Sequence, residues 1–222
     1  MKIGIICDAH GNHAGMIACL NVLKKNGAKK IFFLGDAVGY MVDPNSILNS
    51  LQAYDCQCLL GNHDAMLLGH ISIPKSKENI YKINESLKEI KKKNFLYMLS
   101  WKPFLERNFN GIRFLFVHGS PFDPLQGYVY PDTNIANWKR LPYDFIFTGH
   151  SHYPFIRKVG RQTIVNVGSC GLPRDSGKLV SCAICDTLTR DVRIIRIPID
   201  VKQVIARHRR KIHLQVKRCL MR

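Results

Sequence analysis

Five short apolar runs in this chain end in residues that bind metal or move protons. "IGIIC" leads into Asp8-Ala9-His10 and "IFFLG" into Asp36. "CLLG" leads into Asn62-His63-Asp64, "FLFV" into His118, and "FIFTG" into His150-Ser151-His152. In α/β sheets, ligands bind beyond the carboxyl ends of the strands, where loops leave a rigid frame. One such ending carries little weight. Five of them, with carboxylate, amide and imidazole groups and no thiolate, predict a single shared site. In an extended segment residues i and i+2 face the same side. Asp8 and His10 are therefore expected to converge on one centre, and His150 and His152 to do the same or to serve two adjacent centres. Gly35, Gly61, Gly119 and Gly149 flank these residues and permit the tight turns that a loop cluster needs.

Asp8, His10, Asp36, Asn62, His118, His150 and His152 are seven candidate ligands. With one bridging carboxylate they supply four protein ligands to each of two ions and leave a position open for water or substrate, as catalytic sites do. Mixed nitrogen and oxygen ligation without sulfur suits two divalent transition-metal ions, with Mn first and Fe, Ni, Co or Zn as alternatives. Two dications against two carboxylates leave the centre at about +2, which favours an anionic substrate.

In order and spacing, the blocks Asp8-x-His10-Gly11-Asn12, Gly35-Asp36, Gly61-Asn62-His63-Asp64, His118-Gly119 and Gly149-His150-x-His152 resemble the calcineurin-like metallophosphoesterase superfamily, over residues 1 to about 199. "GDAVGYMVDP", "HGSPFDP" and "NVGSCGLPRD" are similar to its compact single-domain bacterial and archaeal phosphodiesterase branch. The resemblance implies a four-layer α-β-β-α sandwich of two mixed sheets flanked by helices. It implies that Asp8, His10, Asp36 and His152 hold one metal, that Asp36, Asn62, His118 and His150 hold the other, and that Asp36 bridges. His63 is carried over as a general acid or transition-state contact, oriented by Asp64. Asn62, His63 and Arg174 are the substrate-binding candidates. The implied chemistry is in-line attack on phosphorus by a hydroxide bridging the metals, with His63 protonating the leaving oxygen. Tyr40 stands where the protein phosphatases of the superfamily carry an arginine, which argues against a phosphoprotein substrate. Phe122 in "HGSPFDP" stands where relatives often have arginine, which favours a base or another flat leaving group.

The elements that must position these residues alternate. Residues 2–7, 30–35, 56–61 and 145–149 read as buried strands and 14–26 as a helix that stops at Asn26-Gly27. Asp43-Pro44 opens a helix to about Ala53. Residues 78–99 predict one long helix with Lys88, Lys91, Lys92 and Lys93 at one end. Asn110-Gly111 is a type I′ hairpin signal between "FLERNF" and "IRFLFV". Residues 154–197 read as antiparallel strands, and Asp200 with Gln203 opens a last helix. A β-α-β-α-β first half and a hairpin-rich second half predict a mixed α/β core with more than one sheet.

The division expected is a domain over 1–199 and a basic amphipathic C-terminal helix over 200–222 docked on it. Val201, Val204, Ile205, His208, Ile212, Val216 and Leu220 form its apolar stripe. Lys202, Arg207, Arg209, Arg210, Lys211, Lys217, Arg218 and Arg222 surround that stripe. The chain carries 33 Lys and Arg against 16 Asp and Glu, a net charge of +17, which attracts anions. The first reading of this helix is that it docks by its stripe with its basic residues solvated; a nucleic-acid contact through the basic surface and this helix is the second, and a membrane surface or a protein partner the third. The eight cysteines form no disulfide framework. Cys182-x-x-Cys185 lies in a strand-like run without a second pair, so zinc binding is not expected there. No secretory or membrane-spanning run is visible, and a reduced, cytoplasmic protein is expected. His13, His70, His208 and His213 lie outside the blocks and are expected to face loops or solvent, and Trp101 and Trp138 to be core or rim residues.

The function expected is a dinuclear metal-dependent phosphodiesterase on nucleotides or nucleic-acid ends. The alternatives are a dinucleoside polyphosphate hydrolase and a protein Ser/Thr phosphatase. A non-catalytic nucleic-acid- or protein-binding scaffold on the same fold would carry broken ligand blocks, and none is broken here.

Overall fold

The computed structural model describes residues 1–209 and 211–222. In chain order the elements are β1 (Lys2–Ile6), α1 (His13–Lys25), β2 (Lys30–Phe33), α2 (Pro44–Ala53), β3 (Cys56–Cys58), α3 (Asn62–Leu67), α4 (Glu78–Tyr81), α5 (Ile83–Glu89) and α6 (Lys92–Met98). Then follow β4 (Phe104–Phe109), β5 (Ile112–Val117), β6 (Phe145–Thr148), β7 (Phe155–Val159), β8 (Gln162–Asn166), β9 (Leu179–Asp186), β10 (Val192–Pro198), α7 (Val201–Arg207) and α8 (Leu214–Leu220). The strands form two mixed five-stranded sheets, ordered β10-β9-β1-β2-β3 and β4-β5-β6-β8-β7. Within them β1, β2 and β3 run parallel, as do β5, β6 and β8.

The sheets pack face to face, which explains the continuous apolar runs. Ile3, Ile5, Phe32 and Leu34 point between the sheets, where they meet Phe114, Phe116, Phe145 and Phe147. Phe32 lies flat on Phe116 with centroids 4.0 Å apart. The alternate residues Ile6, Ile31 and Phe33 turn outward under Met16, Leu20 and Leu23 of α1 and Ile47 and Leu48 of α2. Both faces of β1 and β2 are therefore buried, and no polar residue interrupts them until the strand ends. The outer face of the second sheet is covered by Val129, Ile135 and Trp138, the last on a short 3₁₀ helix. Cys182 and Cys185, three apart on β9, lie on opposite faces, one in the helix-side core and one between the sheets.

The Asn110-Gly111 turn joins β4 to β5 with both residues at positive φ, as a type I′ turn requires. Two helices expected to be continuous are broken. Residues 78–99 divide into α4, α5 and α6. Lys82 is left-handed at φ 58°, and Ile90 and Lys91 are extended. Partners outside the helix replace its hydrogen bonds there. The Tyr81 carbonyl accepts from the Tyr40 N–H, and Asn45 on α2 donates to the Glu89 carbonyl and accepts from the Lys91 N–H. Lysines at 88, 91 and 92 would also repel on one helical face.

The tail likewise forms two short helices, α7 and α8, rather than one. Asp200 caps α7 by accepting from the Gln203 N–H, and His213 caps α8. Val204, Ile212, Val216 and Leu220 still share one buried cluster, with Tyr40, Met41 and Leu172. His208 is buried as well, contrary to expectation, because it continues the four-residue spacing of this stripe. Arg207 pairs with Asp43 and Lys211 with Glu89, while Arg210 lies outside the described residues. Among the described residues no helix is long and apolar enough to cross a membrane.

Candidate metal centre

All five strand-end segments meet at one end of the two sheets, beyond the carboxyl ends of β1, β2, β3, β5 and β6. Asp8, His10, Asp36, Asn62, His63, His118, His150 and His152 are all buried there. Asp8, His10 and His152 form one group of close ligand atoms and Asp36, His118 and His150 a second; His63 also lies within that distance of His10 and Asp36. Asp36 lies between the two groups, with its Oδ2 3.4 Å from His10 Nε2 and 3.5 Å from His118 Nε2. Asn62 joins the second group, its Oδ1 3.1 Å from His118 Nε2.

The backbone places these side chains in a way the sequence did not suggest. Asp8, His10, Asp36, His150 and His152 all have positive φ, between 47° and 62°. The i, i+2 pairs converge because each member is left-handed, not because the segment is extended. This conformation costs a non-glycine residue roughly 1–2 kcal/mol and persists only where the surroundings over-determine it. Here the loops hold each other: the Asp8, His10 and Gly11 N–H groups donate to the carbonyls of Gly35, Asp36 and Ala37. Gly61 permits a close approach of this kind, since a Cβ there would stand 2.1 Å from Asp36 Oδ1.

The outer hydrogen bonds fix what each ring presents inward. Nδ1 of His10 donates to the Val38 carbonyl, Nδ1 of His118 to that of Leu34, and Nδ1 of His152 to that of Leu172. Their Nε2 atoms therefore carry lone pairs. Burial pushes the pKa values of His10 and His118 down, and that of His150 to about 2, so these rings are neutral. The consequence is an unusual set of contacts. His10 Nε2 faces His152 Nε2 at 3.1 Å, His118 Nε2 faces His150 Nδ1 at 3.1 Å, and Asn62 Oδ1 faces His118 Nε2 at the same distance. Asp8 Oδ1 is buried with no hydrogen-bond partner. His150 Nδ1 can donate to His118 Nε2, but at the His10–His152 and Asn62–His118 contacts lone pairs face each other, and they repel unless a cation sits among them. Donor atoms about 3 Å apart match the spacing around one first-row dication bonded at about 2.0–2.2 Å. The residues thus fit metal. Cys7 also lies near Asp8 and His118, but it faces the His118 Nδ1 that donates to Leu34 and not the nitrogen turned into the cluster.

The remaining candidates divide. His63 packs edge-on to His10, with Tyr40 and Tyr81 against it, and its buried Nδ1 has no partner. Asp64 forms no hydrogen bond to that ring, which corrects the expected orienting role. Its carboxylate accepts from the N–H groups of Asp36, Ala37, Val38 and Gly61, so it holds the Asp36 loop against α3. Arg174 is half-buried at the rim, with Nη2 3.4 Å from the Tyr40 hydroxyl. Phe122 is 67% exposed and leans edge-on toward Trp138, outside the centre. His13 is bonded to Ser50, away from the site. Tyr81 and Tyr128, which belong to none of the five sequence blocks, also reach the cluster. Tyr128 stacks on His150 at 4.0 Å, yet it lies in a loop with no motif.

The family model of the calcineurin-like phosphoesterase superfamily domain matches residues 1–190. An uncharacterized protein of Methanocaldococcus jannaschii is 32% identical over 220 residues, covering 90% of this chain and 89% of its own. A hypothetical protein from Pyrococcus horikoshii superposes with a TM-score of 0.86 at 19% identity, over 99% of this chain and 97% of that one. A metallophosphoesterase from Sphaerobacter thermophilus does so at 0.81 with 24% identity, over 99% and 98%. With its two mixed sheets and its cluster of buried histidine and aspartate residues, this chain belongs to the calcineurin-like phosphoesterase superfamily.

Proposed function

We propose that this metallophosphoesterase is a phosphodiesterase that acts on nucleotides or nucleic-acid ends with two divalent ions, Mn first among them. The observation that carries the metal requirement is the pair of lone-pair contacts at 3.1 Å, His10 against His152 and Asn62 against His118. Asp8, His10 and His152 would hold one ion and Asn62, His118 and His150 the other, with Asp36 shared. When bound, such a pair neutralises phosphoryl oxygens and makes water nucleophilic at neutral pH.

The protein's own groups do the rest. His63 lies beside Asp36 and His10, and burial pushes its pKa well below that of a free imidazole. A neutral ring still carries one N–H, as in other sites where a neutral histidine polarises substrate. This supports a transition-state contact over a general acid. Asp36 Oδ1 accepts from the His63 N–H, so the backbone of the acceptor loop and the position of the ring are tied together. Arg174 adds a fixed positive charge at the rim for a phosphoryl oxygen.

Asp64 is a positioning residue in this scheme. Replacing it with Asn leaves one carbonyl oxygen where two carboxylate oxygens accept four backbone N–H groups. Metal affinity of Asp64→Asn is expected to fall by about 10–100-fold, read by chelator competition against Mn²⁺. Unchanged affinity would remove the positioning role.

The reaction class is tested by Mn²⁺-dependent turnover of bis-p-nitrophenyl phosphate beside p-nitrophenyl phosphate. Faster cleavage of the diester is the expected result. Faster cleavage of the monoester would make the protein a phosphatase. A protein loaded with two ions that hydrolyses neither, nor any other phosphoester offered, would sink the reading.

A further inference from the structure

A cleft of about 340 Å³ opens beside the histidine cluster, and of the residues that line it the chemistry described so far uses only Arg174. Its inner wall is aromatic. Tyr81 lies against His63 with centroids 4.4 Å apart, Tyr128 stacks on His150 at 4.0 Å, and Tyr40 lies against both His63 and Tyr81. Its charge is positive: Arg174 and Lys77 line it, and no carboxylate does. Its outer wall is the C-terminal helix α8, through Gln215, Val216 and Cys219. That wall is firmly seated, because Val216 and Leu220 are buried on Tyr40, Met41 and Leu172. The tail therefore does more than cover the core; it bounds the approach to the site.

We infer that this cleft, closed on its far side by the C-terminal helix, binds the nucleotide part of the substrate. Flat tyrosine faces accept a base by stacking without reading its sequence. Arg174 and Lys77 meet a phosphate attached to that nucleoside. The volume lies at the low end of the range of about 300–1,000 Å³ typical of small-ligand pockets, which suits one nucleotide and excludes a stacked run of several. The inference rests on the phosphoesterase reading for the position of the reacting phosphate, but the cleft has its own observable, which is affinity.

The test is calorimetric titration of the full-length, Mn²⁺-loaded protein with adenosine monophosphate and with ribose 5-phosphate, which carries the same phosphate and no base. Adenosine monophosphate is expected to bind at least about tenfold more tightly. Tyr128→Leu should abolish that difference, and Arg174→Met should weaken both ligands. Gln215→Trp, which fills the mouth from α8, should weaken the nucleotide at least about tenfold. Tyr128 and Gln215 are exposed, so these variants are expected to fold, and an unchanged melting curve checks it. Equal binding of the two ligands, or a Gln215→Trp variant with unaltered affinity, would overturn the inference. Turnover of bis-p-nitrophenyl phosphate by the same preparation separates the two readings. Turnover without base discrimination defeats the cleft alone. Base discrimination without turnover of this or any other phosphoester offered keeps the cleft as a nucleotide site and defeats the enzyme.

Discussion

Asp36→Asn is expected to hold fewer than two Mn²⁺ ions per chain after dialysis and to lose about 10³-fold or more in turnover of bis-p-nitrophenyl phosphate. Asp36 Oδ2 lies close to the inward nitrogens of both histidine groups, 3.4 Å from His10 Nε2 and 3.5 Å from His118 Nε2. Oδ1 is already engaged by the His63 N–H at 2.9 Å. An asparagine must therefore keep its carbonyl on that N–H and turn its NH₂ toward the cluster, or reverse and set NH₂ against N–H. Either way the negative charge shared by the two groups is gone, and a donor replaces an acceptor. A 10³-fold loss corresponds to about 4 kcal/mol of transition-state stabilisation, within reach of a metal clamp worth several kcal/mol. Elemental analysis gives the ion count and steady-state kinetics the rate. Two retained ions with near-normal turnover would show that Asp36 is not shared between them.

His63→Ala is the second large effect. It is expected to lower kcat by about 10²–10³-fold, the range for loss of one preorganised hydrogen-bond donor to the transition state, with metal content unchanged. His63→Gln keeps an N–H near the same place and should recover part of that loss. The contrast decides between roles, because a residue that must deliver a proton cannot be replaced by an amide, whereas one that donates a hydrogen bond can. His63 also lies within ligand distance of His10 and Asp36. Loss of an ion in His63→Ala would therefore make it a ligand and overturn the transition-state role.

The cluster itself was legible because its residue types are chemically expensive. Carboxylates and imidazoles rarely end buried apolar strands unless they are paired or bind metal, so five such endings point to one place even before the fold is known. The two-sheet architecture was legible for a related reason. Strands buried on both faces, such as β1 and β2, lose the polar alternation of a surface strand. The single helix over residues 78–99 failed because its apolar spacing was real but the chain found better partners. Asn45 and Tyr40 supply the hydrogen bonds that let it break at Lys82 and Ile90. The role given to Asp64 failed similarly: adjacency to His63 in sequence says nothing about which way its carboxylate points, and four backbone donors claim it.

By itself, then, the sequence determined which side chains would be drawn together and what class of ligand they could take, since those follow from the cost of burying charge and from strand-end positions. Only the tertiary structure decided how they face one another. The left-handed backbone at Asp8, His10, Asp36, His150 and His152 is stabilised by hydrogen bonds from other loops, which no local pattern encodes. The partners of the site, Tyr81, Tyr128 and the C-terminal helix, come from segments far apart in the chain. Their proximity is set by how the layers pack, and a one-dimensional spacing rule carries no information about that.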